Sequence, residues 1–198
     1  MPAGDLLPED HPDRLRWNAR YAGGFVPSFA PHPLAIRALA MELPHGPVAD
    51  LACGASGTAL LAAGRGREVT AVDISELALG MLADEARLRG LDQLVTLVHA
   101  DLAAWRPRPG SYALVLCTGF WTADVFAPAA EAVTAGGLIG WQAFTAAAAR
   151  ARPDLSPDWC LAPGEPASLL PEGFTVLEQQ DLPDRQGLLR RQFLARRH

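Results

Sequence analysis

The 198-residue sequence has few cysteines and no long apolar run. Its three cysteines (Cys53, Cys117 and Cys160) are odd in number and lack paired spacing, which argues against a disulfide framework and favours reduced thiols in a cytoplasmic protein. No apolar stretch approaches the roughly 20 residues that a membrane helix needs. The N-terminus also lacks a basic region followed by an apolar one, so no signal peptide is predicted.

The sequence is also poor in basic residues. Lys and Arg total 17 against 22 Asp and Glu, a formal net charge of −5. A nucleic-acid-binding surface usually carries a large basic patch. The one short basic run, formed by Arg190, Arg191, Arg196 and Arg197, is interpreted as a solvated end strand, so we expect no nucleic-acid partner.

Several catalytic signatures are missing. The sequence contains no G-x-S-x-G nucleophile elbow, no H-E-x-x-H pair and no P-loop. His99 has no partner His or Cys at metal-ligand spacing and is interpreted as an ordinary strand histidine. We therefore expect no metal site.

Apolar segments that end at turn residues alternate with helical patterns. Strands are predicted at 47–53, 68–73, 95–100, 112–117 and 138–144, and helices at about 33–43, 58–64, 75–90 and 123–134. Gly136 and Gly137 are expected to end the last helix. Two closing strands, 174–180 and 191–195, are predicted to pair antiparallel at one edge. The alternation predicts an α/β protein with a mostly parallel seven-stranded sheet, helices on both faces and an antiparallel C-terminal edge hairpin.

Ligands of such sheets bind at the carboxyl ends of the strands. The first strand ends in the small-residue loop 50–57, whose glycines allow close approach of a ligand. A dinucleotide fingerprint counted from Gly54 would need glycine at Ser56 and Ala59, so it fails. Asp50 is a poor neighbour for pyrophosphate but a good one for an ammonium group. The alternative interpretation of this loop is an ordinary tight turn.

Acidic residues end the next two strands. Asp73 is suited to accept hydrogen bonds from ribose hydroxyls, and Asp101 is suited to an adenine amino group. Either carboxylate could instead serve the start of the helix that follows it. The fourth strand ends at Cys117, for which packing is the simpler role. Phe120 and Trp121 follow it, either lining a pocket or packing in the core.

These segments resemble class I S-adenosylmethionine-dependent methyltransferases. DLACGASG is similar to their glycine-rich motif, VDIS to their ribose-binding motif and HADL to their adenine-contacting motif. YALVLCTGFW and EAVTAGGLIGWQAF resemble their fourth and fifth strands. The early W-N-A-R-Y, which includes Trp17, Arg20 and Tyr21, is similar to the entry segment of small-molecule methyltransferases of the tellurite-resistance type. The departures are Ala52 and Ser56, where the family usually has glycine, and Ala113, where it commonly has an acid.

The resemblance implies a Rossmann-like fold and S-adenosylmethionine as the cofactor. It implies one domain, 1–198, with an N-terminal helical lid (1–45), a cofactor-binding core (46–145) and C-terminal strands (146–198). Tyr21, Phe120 and Trp121 are expected at the substrate. The expected cofactor-binding residues are Trp17, Arg20, Asp50, Ala52, Cys53, Gly54, Ser56, Asp73, Ile74, Asp101, Leu102 and Cys117.

The predicted activity is methyl transfer to a small-molecule acceptor by a monomer or homodimer. No residue is assigned as catalytic, although Tyr21, Asp124 and Gln142 are weak candidates for a general base. That gap leaves a non-catalytic S-adenosylmethionine- or S-adenosylhomocysteine-binding protein as the alternative. An NAD-dependent oxidoreductase is disfavoured because the dinucleotide fingerprint fails.

Overall fold

A computed structural model describes residues 9–198; residues 1–8, the start of the predicted segment 1–45, lie outside the described part. The helices are α1 (Pro12–Ala22), α2 (Pro33–Ala40), α3 (Thr58–Gly64), α4 (Glu76–Leu88), α5 (Ala123–Glu131) and α6 (Ala146–Ala151). The strands are β1 (Val48–Leu51), β2 (Val69–Asp73), β3 (Val95–His99), β4 (Tyr112–Thr118), β5 (Val133–Thr145), β6 (Cys160–Leu161), β7 (Phe174–Pro183) and β8 (Leu189–Arg197). Three short 3₁₀ turns, Asp92–Leu94, Pro157–Trp159 and Ala167–Leu169, lie between them.

The strands form one sheet in the order β3-β2-β1-β4-β5-β8-β7. Strands β1 to β5 run parallel, whereas β8 pairs antiparallel with both β5 and β7. The seven-stranded path and its antiparallel closing hairpin confirm the predicted fold class. The structure adds β6, a two-residue strand beside β5 that was not predicted.

Helices cover both faces of the sheet, as its buried strands require. On one face, α2, α3 and α4 contribute Leu34, Leu60 and Leu82 to an apolar cluster. On the other face, Phe126 of α5 packs against Trp141 and other aromatic residues of the sheet. Strand order reverses between β1 and β4, and in open sheets that point is where a ligand cleft forms.

Two predicted helix ends were wrong. The helix predicted to reach residue 134 ends at Glu131, because the amide of Tyr112 donates to the carbonyl of Ala132 (2.9 Å) and draws the chain into β5. The glycine pair therefore lies inside β5, after the irregular register at its start. The helix predicted to reach residue 43 ends at Ala40.

The C-terminal arginines make intramolecular contacts. Arg196 donates to the carbonyls of Glu42 and Gly136, and Arg197 donates to those of Glu131 and Val133. Arg190 and Arg191 pair with Asp184 and Asp181. The run thus attaches the closing strands to the rest of the chain. Between residues 9 and 198, no helix is both long and apolar enough to cross a bilayer.

Candidate cofactor and acceptor site

Asp73 holds the glycine loop in place at the end of β2. Its Oδ2 accepts the amide hydrogen of Gly54 (2.7 Å), and its Oδ1 accepts that of Ser75 (2.8 Å). Burial raises the pKa of Asp73, while the amides of Ser75 and Gly54 lower it. The carboxylate therefore fixes the β1 loop against the start of α4.

The loop adopts a conformation that explains its small residues. Ala52 and Gly54 have φ values of +47° and +55°. The left-handed region is strained for alanine by roughly 1 kcal/mol or more, and such strain clusters at functional sites. A Cβ added to Gly57 would lie 1.9 Å from the carbonyl oxygen of Phe29, so only glycine fits there.

Ser56, the departure from the family motif, fits the loop. Its backbone is not in the left-handed region that favours glycine. Its hydroxyl accepts the amide hydrogen of Thr58 (3.4 Å) near the start of α3. The backbone conformation at this position therefore does not require glycine.

Asp50 lies beneath the loop, on β1, and is 1% exposed. Neither carboxylate oxygen makes a hydrogen bond of acceptable geometry within the described residues. Burial raises the pKa of Asp50 to about 7; the nearby Ala59 amide lowers it in part, and Asp73 raises it further. A buried carboxyl group without partners is costly, so Asp50 is prepared for a positively charged or donating ligand group.

The residues that follow β2 and β3 lie beside this loop. Asp101 accepts the amide hydrogen of Ala103 (2.9 Å) and keeps part of its carboxylate exposed. The carbonyl of Ile74 lies 3.0 Å from Nε2 of His99. Leu102 is buried in the apolar cluster on the α5 face. Asp101 is therefore accessible to a ligand, whereas Leu102 mainly supports the turn.

Helix α1 lies against the start of α4 and is held by polar contacts. Arg14 pairs with Glu76 (2.8 Å), which lowers the pKa of Glu76 to about 2. The hydroxyl of Ser75 donates to Oδ1 of Asn18 (2.6 Å) and also caps α4. These contacts bring the N-terminal segment over the carboxyl ends of the strands.

The entry segment places aromatic rings at the cleft. Tyr21 packs edge-on against Phe25, with ring centroids 5.2 Å apart. A Cβ added to Gly54 would lie 2.6 Å from Oη of Tyr21, so this hydroxyl lies directly on the loop. Arg20 lies over the rings of Trp17 and Phe25, at 5.6 and 5.5 Å. Tyr21, predicted to contact the substrate, is thus placed at the loop proposed to bind the cofactor.

The predicted site residues at the end of β4 differ in how deeply they are buried. Cys117 is fully buried, and its thiol donates to the carbonyl of Phe120 (3.6 Å). Trp121 is also buried, with its ring 5.5 Å from that of Phe126. The structure places both side chains in the core on the α5 face, whereas Phe120 stays half-buried at its margin. Cys53 is buried in the cluster on the opposite face, and burial raises the pKa of its thiol well above the usual range.

The candidates for a general base are poorly suited to that role. Burial raises the pKa of Tyr21, so its phenol stays protonated. Asp124 lies exposed in the first turn of α5. The Gln142 carboxamide is not basic, and its oxygen already accepts a hydrogen bond from Gln192 (2.7 Å). No cluster of three or more potential metal ligands occurs in the described range 9–198.

Sequence reasoning missed four residues at this site: His11, Asn18, Phe29 and His32. His11 lies 3.6 Å from the carboxylate of Asp101. Asn18 was inside the quoted W-N-A-R-Y segment, where a helical spacing of four from Arg14 already indicated a shared face. His32 precedes Pro33, which is a typical first helical residue, so its position as the N-cap of α2 was readable.

The acidic side chains around the loop fit S-adenosylmethionine. The unpartnered Asp50 matches an ammonium group, Asp73 lies beside the loop where it can meet a ribose, and Asp101 follows the neighbouring strand. Tyr21 and Phe29 approach the loop closely at Gly54 and Gly57, so the N-terminal segment lies directly on the loop. The three acids lie on or just after the neighbouring strands β1, β2 and β3.

Comparisons with known proteins agree with the fold described above. Residues 48–137 match the model of a family described as "Methyltransferase domain". No curated protein matches the chain. A solved structure described as the conversion of a disulfide bond into a thioacetal group during echinomycin biosynthesis is 20% identical, with 93% of this chain and 91% of that chain covered and a TM-score of 0.69.

Two further solved structures are similar. TehB from Haemophilus influenzae is 17% identical over 84% of this chain and 62% of its own, with a TM-score of 0.67. Geranyl diphosphate C-methyltransferase from Streptomyces coelicolor A3(2), in complex with Mg²⁺, geranyl diphosphate and S-adenosyl-L-homocysteine, is 15% identical over 83% and 75%, with a TM-score of 0.65. Residues 48–137 are therefore similar to a methyltransferase domain, and the chain shares the Rossmann-like fold of these solved structures.

Proposed function

We propose that the protein transfers the methyl group of S-adenosylmethionine to a small-molecule acceptor. The observation that carries the proposal is the buried, unpartnered Asp50 beneath a glycine loop that Asp73 holds in place. When bound, S-adenosylmethionine supplies an activated methyl group on a sulfonium sulfur. The chain's own residues then bind and orient the cofactor and the acceptor, and they exclude water.

The roles of the site residues follow from their positions. Asp50 acts on the ammonium group through the glycine-loop backbone or a water molecule, Asp73 meets the ribose hydroxyls and Asp101 meets the adenine amine. The backbone of residues 52–56 lies against the cofactor, with the entry residues Trp17, Arg20 and Tyr21 above it. Because charge disperses in a methyl transfer, alignment and exclusion of water contribute more than a strong base.

A small acceptor is supported by the covering of the cleft. Arg16 of α1 lies over the ring of Trp159, at 4.3 Å, so the segment after β5 packs against the entry helix. The chain is acidic and its C-terminal arginines contact its own backbone and carboxylates, so residues 9–198 offer no large basic patch for nucleic acid. Geranyl diphosphate, a small molecule, is bound in one structural neighbour. We further propose that the chain acts as one domain in the cytoplasm, as a monomer or homodimer.

Calorimetric titration tests the cofactor, and a panel of acceptors tests the activity. We expect S-adenosylhomocysteine to bind and NAD not to bind. Turnover is followed as S-adenosylhomocysteine formed from S-adenosylmethionine with thiol, phenol, amine and carboxylate acceptors. Binding without turnover across the panel would favour the non-catalytic alternative, which the absence of a suitable base among the described cleft residues keeps open.

A further inference from the structure

The connection between β3 and β4 lacks the helix that the other connections between parallel strands β1 to β5 contain. Helices α3, α4 and α5 lie in those connections, whereas residues 100–111 form neither a helix nor a strand. A cavity of about 390 Å³ lies beside this segment, and we refer to it as the β3–β4 cavity. Its lining includes Pro47, Val69 and Tyr112, which lie at or next to the first residues of β1, β2 and β4. The cavity is therefore at the end of the sheet opposite the glycine loop.

Two threonines lie side by side on one wall of the β3–β4 cavity. Thr70 of β2 and Thr96 of β3 are partners in the sheet register, and both line the cavity. Because side chains alternate along a strand, the two threonines share a face with Val72 and Val98, which pack in the cluster on the α5 face. Strands covered by helices usually carry apolar residues at such positions. The threonine pair therefore marks a polar part of this face, with two hydroxyl groups that can donate to a ligand.

Arg106 and Arg108 bring positive charge to the β3–β4 cavity. Both line it, and neither forms an ion pair within residues 9–198. They belong to the sequence R-P-R-P, in which each arginine precedes a proline and is restricted towards extended backbone. Arg106 gives one hydrogen bond to the carbonyl of Trp105 (2.9 Å), but a guanidinium group carries five N–H donors. Both side chains can therefore bind an anion.

Aromatic rings form another part of the lining. The rings of Trp105 and Tyr112, both half-buried, lie with their centroids 6.4 Å apart. The amide of Trp105 donates to the carbonyl of Asp101 (2.9 Å), and the amide of Tyr112 donates to that of Ala132 (2.9 Å). These bonds hold both ends of the connecting segment in place. The cavity thus offers a planar ligand ring two aromatic side chains to pack against.

Glu68 is the one acidic side chain among the residues that line the β3–β4 cavity. It is exposed and forms no ion pair with another residue of the described range 9–198. Two arginines and one glutamate give the lining a formal charge of +1, although the whole chain carries −5. The lining therefore favours an anion, and the Glu68 carboxylate opposes its binding.

We propose that the β3–β4 cavity binds a small aryl phosphate. The guanidinium groups and the threonine hydroxyls bind the phosphate oxygens, and the ring packs against Trp105 and Tyr112. A phosphate suits this lining better than a carboxylate, because it can pair with guanidinium through two oxygens and still offer a third to a hydroxyl. The volume of about 390 Å³ is in the range of small-molecule sites.

This binding is separate from the proposed function. Val69, which lines the cavity, and Asp73, which holds the glycine loop, are the first and last residues of β2. Four residue steps along a strand span about 13 Å. A ligand in the β3–β4 cavity therefore should not compete with one at the glycine loop.

Calorimetric titration of the full chain with four probes tests the ligand class. Phenyl phosphate carries both the ring and the phosphate, inorganic phosphate lacks the ring, phenol lacks the charge and benzoate replaces phosphate with carboxylate. We expect phenyl phosphate to bind with a Kd at least about tenfold below that of each of the other three, since each lacks part of the contacts. Saturating S-adenosylhomocysteine should leave this Kd unchanged.

Substitutions of opposite effect test the position of the site. Arg106→Gln and Arg108→Gln should each raise the Kd for phenyl phosphate about tenfold, because each removes a charged donor. Glu68→Gln should lower it about twofold to fivefold, because it removes an exposed repulsive charge. The matched control is Arg150→Gln, an exposed arginine of α6 that forms no ion pair within residues 9–198, and it should leave the Kd unchanged. The Tm should be unchanged in all four variants.

Several results would overturn this inference. They are no binding of phenyl phosphate, equal affinity for phosphate, phenol or benzoate, displacement by S-adenosylhomocysteine, an equal loss of affinity in the Arg150 control, and weaker binding by Glu68→Gln. Titration with S-adenosylhomocysteine alone tests the proposed function. A failure there leaves the phosphate site standing, so the two proposals fail separately.

Discussion

Binding of the cofactor should release a proton from Asp50. Among residues 9–198 no hydrogen bond of acceptable geometry reaches this buried carboxyl group in the free protein, and burial raises its pKa from 3.8 to about 7. At about 1.4 kcal/mol per pKa unit, this rise favours the neutral form by about 4 kcal/mol. An ammonium group placed beside it would favour the charged form instead.

The size of the effect follows from this pKa. At pH 6, Asp50 is about nine-tenths protonated in the free protein, so binding should release about 0.9 proton. Affinity for S-adenosylhomocysteine should therefore rise almost tenfold from pH 5 to pH 6 and level off above pH 7. Calorimetry at pH 6 in two buffers with different ionisation enthalpies measures the released protons directly.

Two controls isolate the contact. 5′-Methylthioadenosine lacks the amino-acid moiety of S-adenosylhomocysteine, so its binding should release no proton from Asp50. The Asp50→Asn variant should bind S-adenosylhomocysteine without proton release. Equal proton release with both ligands, or none with S-adenosylhomocysteine at pH 6, would refute the assignment of Asp50 to the ammonium group.

The same carboxyl group affects the stability of the free protein. Because its pKa is higher in the folded state than in the unfolded state, its contribution is complete below about pH 4 and is lost as the pH rises through about 7. Denaturant unfolding of the ligand-free protein should therefore show this loss between pH 4 and pH 7. Asp50→Asn should remove it, and a wild-type slope retained by the variant would assign the pH dependence to other groups.

Three further predictions concern the loop. Asp73→Ala should weaken S-adenosylhomocysteine binding by about 1–3 kcal/mol in calorimetry and lower stability by a similar amount, since two loop amides lose their acceptor; unchanged affinity would remove Asp73 from the site. Gly57→Ala should destabilise the fold by about 3 kcal/mol or more in urea unfolding because of the carbonyl of Phe29, whereas the control Gly80→Ala, in an open part of α4, should be neutral or stabilising. Tyr21→Phe should raise the Kd for S-adenosylhomocysteine about threefold to tenfold, because the Ala55 amide loses its hydroxyl partner, and a change below twofold would contradict this role.

The sheet and the strand-end acids were predictable because the information is local. Strands β1, β2 and β4 are short, buried and largely apolar runs that lead into a glycine or an acid, and parallel strands bring those ends to one edge. The sequence could not show the end of α5. A pair of glycines is typical of a helix end, but here pairing with Tyr112 begins the strand earlier. The two residues of β6 are too few to form a pattern.

The aromatic residues after β4 illustrate a second limit. Phe120 and Trp121 are neighbours, so one faces the α5 core while the other stays at its margin. Which of them does so depends on where the strand ends. The structure buries Trp121 against Phe126, 5.5 Å away, a contact that sequence spacing alone does not specify. Ser56 shows the reverse case, because a departure from the motif proved compatible with an ordinary backbone conformation.

The way in which helix α1 is held in place affects how a ligand reaches the site. No residue of α1 is buried, so the helix has little apolar packing of its own. Its position depends on contacts such as Arg14 with Glu76 and Asn18 with Ser75, which connect residues about 60 positions apart. These contacts are polar and only part-buried, so each adds little net stability, and segments with little apolar packing open at low cost. A helix held in this way can admit a ligand past Tyr21 while the buried carboxyl group of Asp50 stays in place on β1.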